Sequence, residues 1–131
     1  MLFYIPIGLT IFFVACVRIA PSDPNRWHVT IEEEIETNFA GGAVRILPNG
    51  PEALKLLNTM MLNIPRTKVL AGSLEQGRIT YITRTKLIGF PDYTTIENSD
   101  GIIKLFARLR FGTNDLGVNA ARLERLKRAF E

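Results

Sequence analysis

From Arg78 to Phe111 the chain keeps a two-residue rhythm. Ile79, Tyr81, Thr83 and Thr85 fall on one side of an extended segment, and Thr80, Ile82, Arg84 and Lys86 on the other. Further on, Ile103, Leu105, Ala107, Leu109 and Phe111 share a face opposite Lys104, Phe106, Arg108 and Arg110. A period of two is that of a β-strand, so strands are expected over 78–87 and 102–111. Shorter strands are expected over 43–47, 67–71 and 93–97. Asn98-Ser99-Asp100-Gly101 is a hairpin signal. Alternation this clean predicts a sheet with one face against helices and one face solvated.

The rhythm becomes helical at Ala53, Leu54, Leu57, Met60, Met61 and Ile64, which make one apolar face. Pro48-Asn49-Gly50 ends the preceding strand. Pro51 then occupies the favoured first helical position, and Pro65 stops the helix. A last helix is expected over 119–130, docked by Ala120, Leu123, Leu126 and Phe130, with Glu124 and Arg128 paired at i,i+4. Together these elements predict an α+β fold, a small and mostly antiparallel sheet with two helices packed on one face.

Residues 1–17 carry no charged side chain. Such a run is just under the thickness of a bilayer core, and Arg18 can extend it by snorkelling. A transmembrane anchor is therefore expected over 1–19, a linker and domain entry over 20–29, and the α+β domain over 30–131. Phe13-Val14-Ala15-Cys16 offers a lipoprotein reading, and a buried helix is a third. A cleaved signal peptide fits poorly, because no basic residue precedes the run and Pro21 follows Ala20. Arg18 and Arg26 after the helix favour a cytoplasmic domain by the positive-inside rule.

Composition narrows the chemistry. A net charge of +3 over 131 residues is far from a nucleic-acid-binding composition. The single cysteine, Cys16, allows neither an internal disulfide nor a cysteine-based zinc site. No metal or other cofactor is implied. Glu32, Glu33, Glu34 and Glu36 read as a solvated acidic segment, since neighbouring residues on an extended chain point to opposite sides. His28, the only histidine, stands beside Trp27 and reads as a packing residue. Neither a nucleophile elbow nor a P-loop is present.

The candidate site is a cluster of cations near strand ends. Arg84 and Lys86 on one strand, and Arg108 and Arg110 on another, can share a sheet face. Asp92 and Asp115 lie in the adjoining turns, with Asn119 opening the last helix. One reading is a structural network of arginine–aspartate pairs. Another is a surface for an anionic small molecule or protein partner, using the guanidinium forks and the amides at the helix start. A hydrolase using Asp92 and Asp115, and an assembly factor of the cell envelope, are the alternatives. Nucleic acid is disfavoured, because few aromatic residues interleave with the cations.

Three segments also carry a family resemblance. They are Ser22-Asp23-Pro24-Asn25-Arg26-Trp27-His28, the stretch from Thr83 to Tyr93, and Ala107-Arg108-Leu109-Arg110-Phe111-Gly112-Thr113-Asn114-Asp115-Leu116-Gly117-Val118-Asn119. The chain resembles the bacterial and plastid domain-of-unknown-function family numbered fourteen ninety-nine, whose late motif reads S-R-S-R-x-G-x-S-D-x-G-V-N. Both arginines, Asp115, Gly117 and Asn119 match, whereas Ala107, Leu109 and Asn114 stand in place of serines. The resemblance implies a small α+β domain, often behind an export signal or membrane anchor, and no established activity. It points to a single-pass protein of a bacterial inner membrane with its domain in the periplasm, against the cytoplasmic orientation that Arg18 and Arg26 favour.

Overall fold

The computed structural model describes residues 4–48 and 50–131. Met1, Leu2 and Phe3 of the expected anchor and Asn49 of the expected turn lie outside the described residues. The chain runs α1 (Tyr4–Ile19), α2 (Pro24–Trp27), β1 (Thr37–Phe39), β2 (Gly42–Leu47), α3 (Ala53–Leu62), β3 (Thr67–Ser73), β4 (Arg78–Arg84), β5 (Pro91–Ser99), β6 (Ile102–Leu109) and α4 (Val118–Arg128). The six strands form one antiparallel sheet in the order β1-β2-β6-β5-β4-β3. After β2 the chain crosses by way of α3 to the far edge, then returns as a meander until β6 pairs with β2.

Local chemistry accounts for the meander. The two-residue turn Asp100-Gly101 joins β5 to β6, with both residues at positive φ and Ser99 paired to Ile102. Asn98 Oδ1 accepts the Gly101 amide at 2.9 Å, which locks the register. On one face of the sheet, Ala43, Ile79, Tyr81, Ile96, Ile103, Leu105 and Ala107 pack against Leu54, Leu57 and Met61 of α3 and Leu123 and Leu126 of α4. Both helices thus cover this face, as the periodicity predicts. β1 is an addition at the edge that the pattern of apolar residues does not announce.

The opposite face is not solvated. Residues 20–36, expected to include a linker, form a strap across it. Trp27 lies flat on Tyr93, ring centroids 3.9 Å apart, and packs with Ile82 and Leu70. Side chains of the sheet hold the strap mainly by its backbone. Arg108 donates to Trp27 O, Arg110 to Pro21 O at 2.8 Å and Lys104 to Ile31 O at 3.3 Å, while Glu97 accepts the Ile31 amide at 3.0 Å. Pro21 and the turn formers after it keep residues 20–23 out of regular structure ahead of α2, so Pro21 O is available as an acceptor. The strap is therefore seated on polar side chains rather than on a strand ladder.

The expected N-terminal transmembrane helix requires correction. Among the described residues no helix is long and apolar enough to cross a membrane. α1 has 16 residues, a length of about 24 Å at 1.5 Å per residue, against about 30 Å for a bilayer core. Its last turn is also committed to the domain. Val17 is buried, Phe13 meets Phe90 edge-on at 6.1 Å, and Arg18 donates to Leu87 O and Ile88 O rather than reaching a polar interface.

Candidate functional site

The seven residues expected to form a site are divided among three places. Arg108 is only 7% exposed and belongs to the strap contact: it donates to Thr95 Oγ1 at 2.8 Å and to Trp27 O, and its guanidinium lies 4.4 Å from the Phe106 ring centroid. Burial pulls its pKa down from 12.5 to about 10. Arg110 holds Pro21 O and the Tyr93 hydroxyl.

Asp115, Asn119 and Asp92 form the second group. Asp115 folds back on the start of α4, where its carboxylate accepts from the Gly117 and Asn119 amides at 2.8 and 3.0 Å and from Asn119 Nδ2 at 2.8 Å. Asn119 Oδ1 in turn accepts from Arg122 at 2.6 Å, and Arg122 stands 3.7 Å from Asp92 Oδ2. The late motif thus builds a helix cap and aims one arginine. Burial raises the Asp92 pKa above its ordinary value; the pull of Arg122 opposes this, and the Asp115 charge adds to it.

Arg84 and Lys86 make the third place, at the end of β4. There they join three cations that alternation within single strands does not reveal: Arg18 from α1, Arg66 from the turn before β3, and Lys68 from β3. These five line an open cleft of about 560 Å³, and no carboxylate lines it. Among the described residues none of the five has a carboxylate within 4 Å, whereas Arg45, Arg78, Lys104, Arg122 and Lys127 are all so paired.

Backbone carbonyls position three of the five. Arg84 Nη1 donates to Gly89 O at 2.9 Å, Arg66 Nε to Arg84 O at 3.0 Å, and Arg18 reaches the next carbonyls of the same loop. Thr85 closes that loop: its hydroxyl accepts the Gly89 and Phe90 amides, and its own amide donates to Phe90 O. Gly89 has a φ of +84°, and a Cβ there would come within 3.0 Å of Arg18 Cγ. Glycine thus provides both the turn and the room for Arg18. Arg66 adopts a left-handed φ of 58°, an unfavourable choice for a non-glycine residue. Arg66 Nη1 and Nη2, Arg84 Nη2 and both lysine ammoniums have no protein acceptor among the described residues. Forks held at one nitrogen and open at others suit a planar or tetrahedral oxyanion.

Arg84 and Lys86 were legible from the alternation of the sequence, although β4 ends at Arg84 and Lys86 lies in the loop beyond it. Arg18, Arg66 and Lys68 were not. Their approach depends on the β3–β4 pairing, in which Thr67 faces Thr83 and Lys68 faces Ile82, and on the docking of α1. The positive φ of Arg66, set between Pro65 and Thr67, leaves no mark in the composition.

These features define a small α+β domain with an open cleft whose charged lining is cationic. Residues 17–130 match the family described as "Protein of unknown function (DUF1499)", which is most of the chain. The protein belongs to that family, as the late motif suggested. No curated protein matches the chain.

Proposed function

We propose that this domain binds an oxyanion, of the phosphate type, in the cleft formed by Arg18, Arg66, Lys68, Arg84 and Lys86. The supporting observation is the concentration of five cations in one cleft that no carboxylate lines. Like charges crowded together repel, and a structure that needed them only for solubility would spread them or interleave acids. An anion relieves the repulsion. The strained backbone of Arg66 fits this reading, since such strain gathers at binding sites. The site differs from the sheet face first expected: Arg84 and Lys86 stay in it, while Arg108 and Arg110 serve the strap.

The test is calorimetric titration of the full chain with pyrophosphate at low ionic strength. Binding is expected in the wild type. The double variant Arg66→Gly/Lys86→Ala should weaken it by about tenfold or more, equivalent to ~1.4 kcal/mol. Glycine suits the left-handed φ at position 66, so that substitution removes the guanidinium while easing the backbone. Absence of heat in the wild type, together with an unchanged melting temperature, would overturn the proposal.

A further inference from the structure

The cationic cleft does not end at its own walls. A second hollow of about 420 Å³ shares Arg18, Lys68 and Arg84 with it and continues along β3. A third, of about 280 Å³, shares Arg66, Arg84 and Thr85 and opens on the helix side of the sheet, where Arg122 and Arg125 stand. Arg84 lines all three. Together the three adjoining hollows make a trough around the end of the β3–β4 edge, from Lys68 on the strap side to Arg125 on the α4 side. Seven cations line it against a single carboxylate, Asp92, which faces Arg122.

We infer that the trough takes a linear polyanion of the polyphosphate type, with charge repeating along its length and no rings. This rests on the oxyanion reading above and extends it. The two ends lie on opposite faces of the sheet, so a single phosphate engages one end only and a chain engages both. None of the residues lining the three hollows is aromatic. Nucleobases are held by stacking on aromatic side chains in most single-strand sites, and the absence of aromatic faces from these hollows favours a chain that offers only charged oxygens. Arginine forks separated along a groove match such a chain at successive phosphates.

The experiment compares orthophosphate, pyrophosphate, tripolyphosphate and long-chain inorganic polyphosphate on the full-length chain by calorimetry at several salt concentrations. Affinity per chain is expected to rise at least about tenfold from pyrophosphate to the long chain. The salt dependence should steepen in parallel as more ion pairs form. Lys68 and Arg125 are exposed, Lys68 in the cleft itself and Arg125 only in the hollow on the α4 side. Arg125→Ala should weaken the long chain by about threefold or more and leave pyrophosphate unchanged, since the screened reach of one surface charge is short. Lys68→Ala should weaken both. Emission from Trp27, the only tryptophan, checks that each variant is folded. Equal affinity for pyrophosphate and the long chain would overturn this inference and leave the oxyanion cleft standing. No binding of any of the four would remove both. Polyuridylate binding as tightly as polyphosphate at equal charge would overturn the ring-free assignment.

Discussion

Replacing Arg108 by methionine separates the two roles that arginines play in this molecule. Methionine preserves much of the buried volume and removes the charge and the donors. Three hydrogen bonds from a charged donor, to Trp27 O, Thr95 Oγ1 and Phe106 O, are lost, worth roughly 1.5–2 kcal/mol each. Against this, burial already disfavours the charged guanidinium. The fall of its pKa from 12.5 to about 10 corresponds to roughly 3 kcal/mol of cost that methionine does not carry. Thr95 Oγ1 keeps a partner in Thr80 Oγ1 at 2.8 Å, whereas Trp27 O is left without one. The net expectation is a loss of about 1–3 kcal/mol, lowering the melting temperature by roughly 4–12 °C in a domain of this size. Thermal unfolding followed by Trp27 emission reads both stability and strap seating, because Trp27 stacks on Tyr93 within the strap contact. Pyrophosphate binding by the folded variant should stay within about twofold of wild type. An unchanged melting temperature with unchanged emission would refute the claim that Arg108 holds the strap. A variant folded like wild type that no longer binds pyrophosphate would return the site to the sheet face.

Two further outcomes follow from buried polar groups. Thr94 Oγ1 is buried without a hydrogen-bond partner among the described residues, so Thr94→Val should raise stability by about 1 kcal/mol in urea unfolding, and a loss would show that the hydroxyl is satisfied. Asp92 has its pKa raised from 3.8 chiefly by burial, so the folded chain holds that proton more tightly than the unfolded chain. Its contribution to stability is complete below about pH 4 and is lost as pH rises through the folded-state pKa. Asp92→Asn should remove that slope from a pH series of urea midpoints, and an identical slope in wild type and variant would refute the assignment.

Much of the fold was legible because it rests on local rules. A two-residue period marked β4 and β6, a helical period marked α3 and α4, and Asn98-Ser99-Asp100-Gly101 marked the turn between β5 and β6. Even the division of β6 into a face of Leu105 and Ala107 and a face of Lys104 and Arg108 matched the structure, since side chains on a strand must alternate. The late motif likewise proved local: Asp115 caps the very helix it precedes.

The chain order carried no such mark for three features. The polar face of the sheet looked solvated because Lys104 and Arg108 are charged, yet both are buried by a segment more than 70 residues away in sequence. A strap held by side chain-to-carbonyl bonds needs no apolar period of its own, so its Pro-containing sequence read as a linker. An apolar run with no internal charge looked like an anchor, but where it stops depends on Val17 and Arg18 finding partners in the domain. The cationic cleft has the same origin. Local rules determined β4, β6, α3, α4 and the turn between β5 and β6, and which way the side chains of those strands point. The meeting of Arg18, Arg66 and Lys68 with Arg84 and Lys86 was decided only by long-range pairing, because charge converges through tertiary contacts that periodicity does not encode.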